Sequence, residues 1–233
     1  MTKKYELVLD DTISFWGWKL FRIRALISFG SVEVGDLGGY IEKEENLSHD
    51  GNAWVSGNAE VWGNAKVSGD AKVSGDAKVS GNAKVSGDAK VSGDAEVWGN
   101  AKVSGDAKVS GDAKVSGNAE VWGNAKVSGD AKVSGDAKVS GNAEVSGNAE
   151  VSGNAEVWGN AKVSELGDLI VFKNHWSSGR HFTYTKSNKM WKVGCFYGTG
   201  QELIEKAYRD SEKSGNYYKA YVDFVENLEK LGD

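Results

Sequence analysis

The hydrophobic pattern of this chain is dominated by one six-residue phrase, Gly-(Asn/Asp)-Ala-x-Val-x, which repeats nineteen times from Gly51 to Ser164. Alanine and valine alternate with a polar residue, so their side chains point to the same face of a short strand. The pair of glycine and Asn or Asp tolerates the tight bend or positive φ of a corner. Each phrase therefore predicts one strand and one turn, and this short fixed period predicts a solenoid.

The corner residues indicate how many phrases make one coil. Asparagine recurs every eighteen residues at Asn64, Asn82, Asn100 and Asn118, with aspartate at the corners between them. Three phrases therefore close one triangular coil, and six to seven coils spaced about 4.8 Å apart make a rod of roughly 30 Å. The stretch that begins at Asn58 recurs almost unchanged sixty residues later, which is typical of recent duplication or of consensus engineering.

This phrase resembles the hexapeptide repeat of left-handed parallel β-helices, a superfamily that includes UDP-N-acetylglucosamine acyltransferases and γ-class carbonic anhydrases. The resemblance covers about half of the chain and implies the left-handed sense, which the period alone does not give. Those enzymes use a histidine on a coil as base or metal ligand, whereas the nineteen phrases contain no histidine and no inserted loop. We therefore do not expect their chemistry here, and an acyltransferase is only a remote alternative.

Two ends of different composition flank the repeat domain of residues 51–164, and a solenoid needs such ends to cover its open sheet edges. Residues 1–50 predict an N-terminal β cap with strands at 5–10 and 19–27. They continue into imperfect repeats, in which we expect Ile41 and Leu47 to take the alanine position.

Residues 165–233 predict a small α+β module of three strands and two helices. A capping box between Thr199 and Glu202 marks the start of the first helix, and Ser214-Gly-Asn is expected to separate it from the second. The expected strands are 169–173, 181–185 and 190–196, and the expected helices are 201–213 and 217–231. The fold class is thus an all-β solenoid with a C-terminal α+β cap or module.

Both ends are similar to uncharacterised hexapeptide-repeat proteins of bacteriophages and prophages. The likeness lies in the lead-in GDLGGYIEKEENLSHDGNAWV, residues 35–55, and in WKVGCFYGT, residues 191–199. It implies a phage or prophage origin and a place in the cytoplasm of a bacterial host, and it brings no assigned activity.

Composition and charge disfavour several functions. The chain has 28 Lys and Arg against 33 Asp and Glu, with no basic patch, so nucleic-acid binding has no electrostatic basis. No apolar run approaches the roughly 20 residues of a membrane span, and the start of the chain lacks the apolar segment of a signal peptide. The single cysteine allows no intramolecular disulfide, which agrees with a cytosolic protein.

Few residues outside the repeat could carry out a reaction. Cys195 lies beside Val193 and Phe196 in a predicted strand, where a small buried hydrophobe is expected rather than a nucleophile. One cysteine with His175 and His181 falls short of the four ligands of a zinc site. We therefore predict no catalytic residue, no metal and no cofactor.

Two groups of residues are candidates for binding a partner. Aromatic and arginine side chains, which are typical of interface centres, are concentrated in the C-terminal module, although an ordinary twisted sheet would also carry aromatics. Tryptophans spaced thirty-six residues apart form two stripes on the rod, which either bind a partner or cover flat faces. The candidates are Trp176, Arg180, His181, Tyr184, Lys186 and Trp191 in the module, and Trp62, Trp98, Trp122 and Trp158 on the rod.

These observations favour a non-enzymatic binding or scaffold protein, a rigid rod that presents its C-terminal module to a protein such as a host component. The alternative is a structural solenoid that self-associates as a homotrimer or a filament, with a natural or a consensus-engineered repeat. Neither a membrane nor a nucleic acid is expected as a partner.

Overall fold

The repeat folds as a β-solenoid in the computed structural model, which describes residues 3–231. An antiparallel hairpin precedes the solenoid, and a sheet with two helices follows it. In chain order the elements are β1 (Tyr5–Phe15), β2 (Trp18–Ala25), β3 (Leu37–Ile41), β4 (Trp54–Val55), β5 (Glu60–Val61), β6 (Lys66–Val67), β7 (Lys72–Val73), β8 (Lys78–Val79), β9 (Lys84–Val85), β10 (Lys90–Val91), β11 (Glu96–Val97), β12 (Lys102–Val103), β13 (Lys108–Val109), β14 (Lys114–Val115), β15 (Glu120–Val121), β16 (Lys126–Val127), β17 (Lys132–Val133), β18 (Lys138–Val139), β19 (Glu144–Val145), β20 (Glu150–Val151), β21 (Glu156–Val157), β22 (Lys162–Val163), β23 (Leu169–Lys173), β24 (His181–Thr185), β25 (Met190–Val193), β26 (Phe196–Gly198), α1 (Gly200–Asp210) and α2 (Glu212–Leu231).

The short strands β4–β22 lie in three sheets, and every third strand belongs to the same sheet. Within a sheet the strands are parallel, and each residue pairs with the one eighteen positions later, as Lys90 does with Lys108. The eighteen-residue coil and the three-sided stack predicted from the repeat are therefore confirmed.

The interior of the solenoid consists almost entirely of alanine and valine. Every Ala and Val of the phrases between Ala53 and Val163 is at most 1% exposed, while the residue between them faces outward. Fully burying one valine stabilises the fold by roughly 1.5–3 kcal/mol relative to leaving it exposed. Because each coil covers the next, this stabilisation depends on stacking rather than on any single coil.

The corners explain why glycine and asparagine recur. Gly105 has a φ of +66°, and a Cβ there would lie 3.0 Å from the backbone nitrogen of Gly123 in the next coil. Only glycine adopts this conformation freely and leaves room for the next corner. At another corner, where the glycines are followed by asparagine, the side chains form a ladder in which Asn82 donates to Asn100 and Asn100 donates to Asn118, both at 2.9 Å.

All backbone hydrogen bonds between coils run in one direction. The N–H of each bonded residue donates to a carbonyl of the following coil, as Lys66 does to Ala83 at 2.9 Å. The first coil therefore ends in unpaired carbonyls and the last coil in unpaired N–H groups. Capping the two ends requires hydrogen-bond donors at the first and acceptors at the second.

Donors cap the N-terminal end. The ammonium of Lys4, a residue only 1% exposed, donates to the carbonyls of Gly51 at 3.2 Å and Ala53 at 2.8 Å. The side-chain amide of Asn46 donates to the equivalent carbonyls two corners later, those of Gly63 at 3.2 Å and Ala65 at 2.9 Å. Two buried polar side chains thus close the end that the repeat leaves open.

The N-terminal cap differs from the sequence prediction in two details. Strand β1 runs to Phe15, well beyond the predicted end at residue 10, because it pairs with β2 as a hairpin. Ile41 and Leu47 pair with Val61 and Val67, so they take the valine position and not the alanine position. Both pairs are twenty residues apart, because two extra residues between Leu47 and Val55 widen the first coil.

The C-terminal module has four strands instead of the predicted three. The predicted strand 190–196 is a hairpin, β25 and β26, whose turn contains Cys195, and this cysteine is exposed rather than buried. The capping box of Thr199 and Glu202 is confirmed. The break between the helices lies at Ser211, and α2 continues through Gly215, where the ring of Tyr208 occupies the space of a side chain.

Candidate functional site

One face of the module sheet fixes the module to the last coil of the solenoid. The hydroxyl of Thr183 accepts from the N–H of Glu156 at 3.0 Å, and Ser187 accepts from Lys162 at 2.8 Å. These are the acceptors that the open N–H groups of the last coil require. The ammonium of Lys192 lies 3.5 Å from the Glu156 carboxylate, and this lysine is 7% exposed.

The opposite face of the sheet packs against α1 and α2. Tyr184 and Trp191 are 4% and 2% exposed, and they share a core with Leu203, Val222 and Val225. This burial follows from the alternation along β24 and β25, which places successive side chains on the solenoid face and on the helix face. The module therefore has a hydrophobic core separate from that of the solenoid.

A cleft of about 740 Å³ opens between the sheet and the helices. Its floor contains Trp191 with Val222 and Val225 of α2, and the first turn of α1 closes one side. Lys186 and Lys189 lie at the rim on the turn between β24 and β25, and α2 contributes Glu226, Glu229 and Lys230. A concave site of this volume with an apolar floor and a few polar groups is typical of ligand-binding pockets.

Tyr184 is held in place at this cleft. Its hydroxyl donates to the carboxylate of Glu229, which also lies 3.5 Å from the ammonium of Lys189. Burial, together with the hydrogen bond to Glu229, raises the pKa of Tyr184 well above its ordinary value. The phenol is therefore neutral at physiological pH and serves as a fixed hydrogen-bond donor. Lys189 has a φ of +54°, a backbone conformation that is uncommon for residues other than glycine.

The cleft brings together three of the six candidates from the module, Tyr184, Lys186 and Trp191. The other three lie elsewhere. Trp176 stacks on Tyr217 with ring centroids 4.6 Å apart, while Arg180 and His181 are exposed near the start of β24. The six residues therefore do not form one surface.

The tryptophans of the rod are engaged to different extents. Trp122 and Trp158 lie edge to face with centroids 5.8 Å apart, and Lys192 of the module lies 4.2 Å above the Trp158 ring. Trp62 lies against Phe15 of the N-terminal hairpin at 5.4 Å. Three of the four stripe residues thus pack against neighbouring aromatic side chains, whereas Trp98 has no aromatic or cationic partner within residues 3–231.

Sequence reasoning missed several residues of the cleft. Val222 and Val225 lie on the buried face of the second helix, but nothing in the sequence pairs that face with Trp191. Thr199 and Gly200 carry a helix-start signal, which gives no hint that the helix start borders a cleft. Only the packing of α2 against the sheet reveals that these residues converge.

Among residues 3–231, no group of three or more His, Cys, Asp or Glu side chains could hold a metal ion. None of the helices described is long and apolar enough to cross a membrane. The chain matches no protein-family model, and a search of curated proteins finds no significant relative.

Proposed function

We propose that this protein is a non-enzymatic binding or scaffold protein, in which the solenoid is a rigid rod and the C-terminal module recognises a protein partner. On this proposal the partner is a component of a bacterial host, such as a defence protein. The protein would then have a phage or prophage origin and act in the host cytoplasm. The origin rests on the likeness of segments 35–55 and 191–199 to phage proteins.

The observation that carries the proposal is the cleft, which gathers Tyr184, Lys186 and Trp191 in a module attached rigidly to the rod. Hydrogen bonds to Thr183 and Ser187 and the buried Lys192 fix the orientation of the module. A fixed orientation reduces the entropy that binding must overcome. The rod itself offers a repetitive charged surface of Lys, Glu, Asp and Asn, which supports a role as spacer.

The test is affinity capture from bacterial lysate with the full-length protein and two charge-reversal variants. Lys186→Glu combined with Lys230→Glu changes the cleft rim. Lys173→Glu combined with Lys213→Glu makes the same change of net charge at exposed lysines outside the cleft. We expect one protein to be retained by the native chain and the control and lost with the cleft variant. Equal retention by all three, or no specific protein, would reject recognition through the cleft.

Self-association is the second candidate, and the distribution of exposed apolar side chains favours it. Within residues 3–231, the exposed large hydrophobic residues lie at the two ends, such as Trp16 at 97% and Leu231 at 83%, and none lies between residues 51 and 164. Trp16 also has a φ of +46°, which is uncommon for a bulky residue. Ends of this kind could join rods into a filament. Sedimentation that stays at the monomer mass at all concentrations would reject this candidate.

A further inference from the structure

The cleft exposes a hydrogen-bond donor that has no acceptor in the protein. Trp191 as a whole is 2% exposed, but its indole nitrogen is not fully buried, unlike the unpartnered indole nitrogens of Trp158 and Trp176. The Trp191 N–H forms no hydrogen bond within residues 3–231 and is open to the cleft. A ligand that covers this N–H must supply an acceptor, because a buried donor without one is unfavourable.

Gly200 leaves the indole nitrogen accessible from the cleft. A Cβ at residue 200 would lie 3.3 Å from Nε1 of Trp191 and 2.7 Å from a methyl group of Val222. Because glycine has no side chain, α1 can begin close to the indole without covering its N–H. Gly200 lines the cleft together with Trp191.

The charges around the cleft favour an anionic acceptor. Lys186 and Lys230 line the rim without an ion-pair partner among the residues described, whereas Lys189 is paired with Glu229 at 3.5 Å. Glu226 is the carboxylate at the rim that opposes an anion. Glu202 accepts from the N–H and hydroxyl of Thr199 at 2.8 and 2.9 Å and so belongs to the helix cap. Two unpaired ammonium groups and one unpaired carboxylate leave a positive balance.

The floor of the cleft is apolar where Val222 and Val225 meet the Trp191 ring. We propose that this cleft binds a small organic anion, a carboxylate or a phosphate monoester on an apolar body. Its anionic oxygens accept from the Trp191 indole and lie between Lys186 and Lys230, and its apolar part covers the two valines. The cleft volume of about 740 Å³ lies within the usual range for such ligands. This proposal rests on the proposed binding function of the module only in that both use the same cleft.

The test is nuclear magnetic resonance of the full-length protein with ¹⁵N-labelled tryptophan, in which the indole N–H of Trp191 reports directly. Trp191→Phe assigns its signal, and if that variant does not fold, cross-relaxation with the Val222 methyl groups assigns it instead. The probes are phenyl phosphate and phenylacetate, with phenol and inorganic phosphate as the separate apolar and anionic parts. The two complete probes distinguish a phosphate ligand from a carboxylate ligand.

We expect a saturable shift of the Trp191 signal with at least one complete probe, and binding tighter than with either part alone. Lys186→Gln combined with Lys230→Gln should weaken that binding roughly tenfold or more, because charge-assisted hydrogen bonds are lost. Lys173→Gln, outside the cleft, should leave it unchanged. No saturable shift up to about 10 mM probe, tenfold above a millimolar Kd, would overturn the proposal. An equal affinity in the Lys186 and Lys230 variant would also overturn it.

These probes are used with the purified protein alone, whereas the capture experiment detects a protein partner. Each result therefore stands without the other. Capture of a partner without probe binding would support the protein-binding function and reject the small-anion site. Probe binding without capture would support the small-anion site and reject the protein-binding function.

Discussion

Replacing glycine by alanine at two corners of the solenoid should separate the two reasons why glycine is needed there. One reason is the positive φ, and the other is the close approach of the next coil. Gly105 has a φ of +66°, and a Cβ at this position would approach the nitrogen of Gly123 to 3.0 Å and its oxygen to 3.2 Å. Gly153 has nearly the same φ, +62°, but nothing lies within 4 Å of its Cβ position because the corner belongs to the exposed side of the last coil. Gly105→Ala therefore adds a backbone cost and a clash, while Gly153→Ala adds only the backbone cost.

The magnitudes follow from these two terms. Placing a residue with a Cβ in the left-handed region costs about 1–2 kcal/mol. Inserting a methyl group against a backbone that cannot rotate away should add about 1–3 kcal/mol, the usual cost of overpacking. We expect Gly105→Ala to lower the free energy of unfolding by about 2–5 kcal/mol and Gly153→Ala by about 1–2 kcal/mol.

The assay is guanidinium unfolding followed by far-ultraviolet circular dichroism, with the midpoint and slope compared for both variants. Repeat proteins do not always unfold in one step, so native-state hydrogen exchange of the coils on each side of residue 105 should accompany it. Equal midpoint shifts for the two variants would refute the claim that close stacking of coils excludes a side chain at the corner.

Three further predictions concern the ladder and the two caps. Asn100→Ala removes one donated and one accepted hydrogen bond of the asparagine ladder. Because the site is exposed, the free energy of unfolding should fall by only about 0.5–1.5 kcal/mol. Guanidinium midpoints measure this change, and an unchanged midpoint would show that the ladder contributes nothing to stability. Burial lowers the pKa of Lys4 from 10.5 to about 8, although the charges of Asp50 and Asp70 oppose this shift. Between pH 8 and 10.5 the unfolded chain therefore binds more protons than the folded protein, and the free energy of unfolding should rise with pH. Thermal midpoints should show this rise, and the Lys4→Met variant should lack it. Burial of Asp168 opposes its ionisation, but hydrogen bonds from Ser164 and from the Glu165 N–H hold its pKa below 3.8. The stability that ionised Asp168 contributes should be complete above pH 3.8 and lost as the pH falls through the lowered pKa. Acid unfolding of Asp168→Asn should lack this loss of stability.

The solenoid could be predicted from the sequence because its determinants are local. Each phrase contains its own strand and corner, and the period of eighteen residues fixes which strands pair. The departures occur where the repeat ends. The two residues added near His49 widen the first coil, where His49 accepts a hydrogen bond from the Lys4 N–H at 3.2 Å. No periodicity could have indicated that contact between distant parts of the chain.

The module was harder to predict because its decisive features depend on packing. A turn at Gly194 and Cys195 divides one predicted strand, and the apparent helix break at Gly215 is a close approach to Tyr208. Three of the six candidate residues of the module converge in the cleft, while the other three lie apart. The alternation of side chains along β24 was visible in the sequence, but the elements covering each face were not.

Hydrogen exchange of the full-length protein, with and without its captured partner, distinguishes recognition by the module from binding along the rod. If the module recognises the partner, exchange should slow in residues 184–191, 199–204 and 222–230, which surround the cleft, and stay unchanged in residues 60–140. Slower exchange along the coils, or at the Trp16 hairpin alone, with an unchanged module would contradict it.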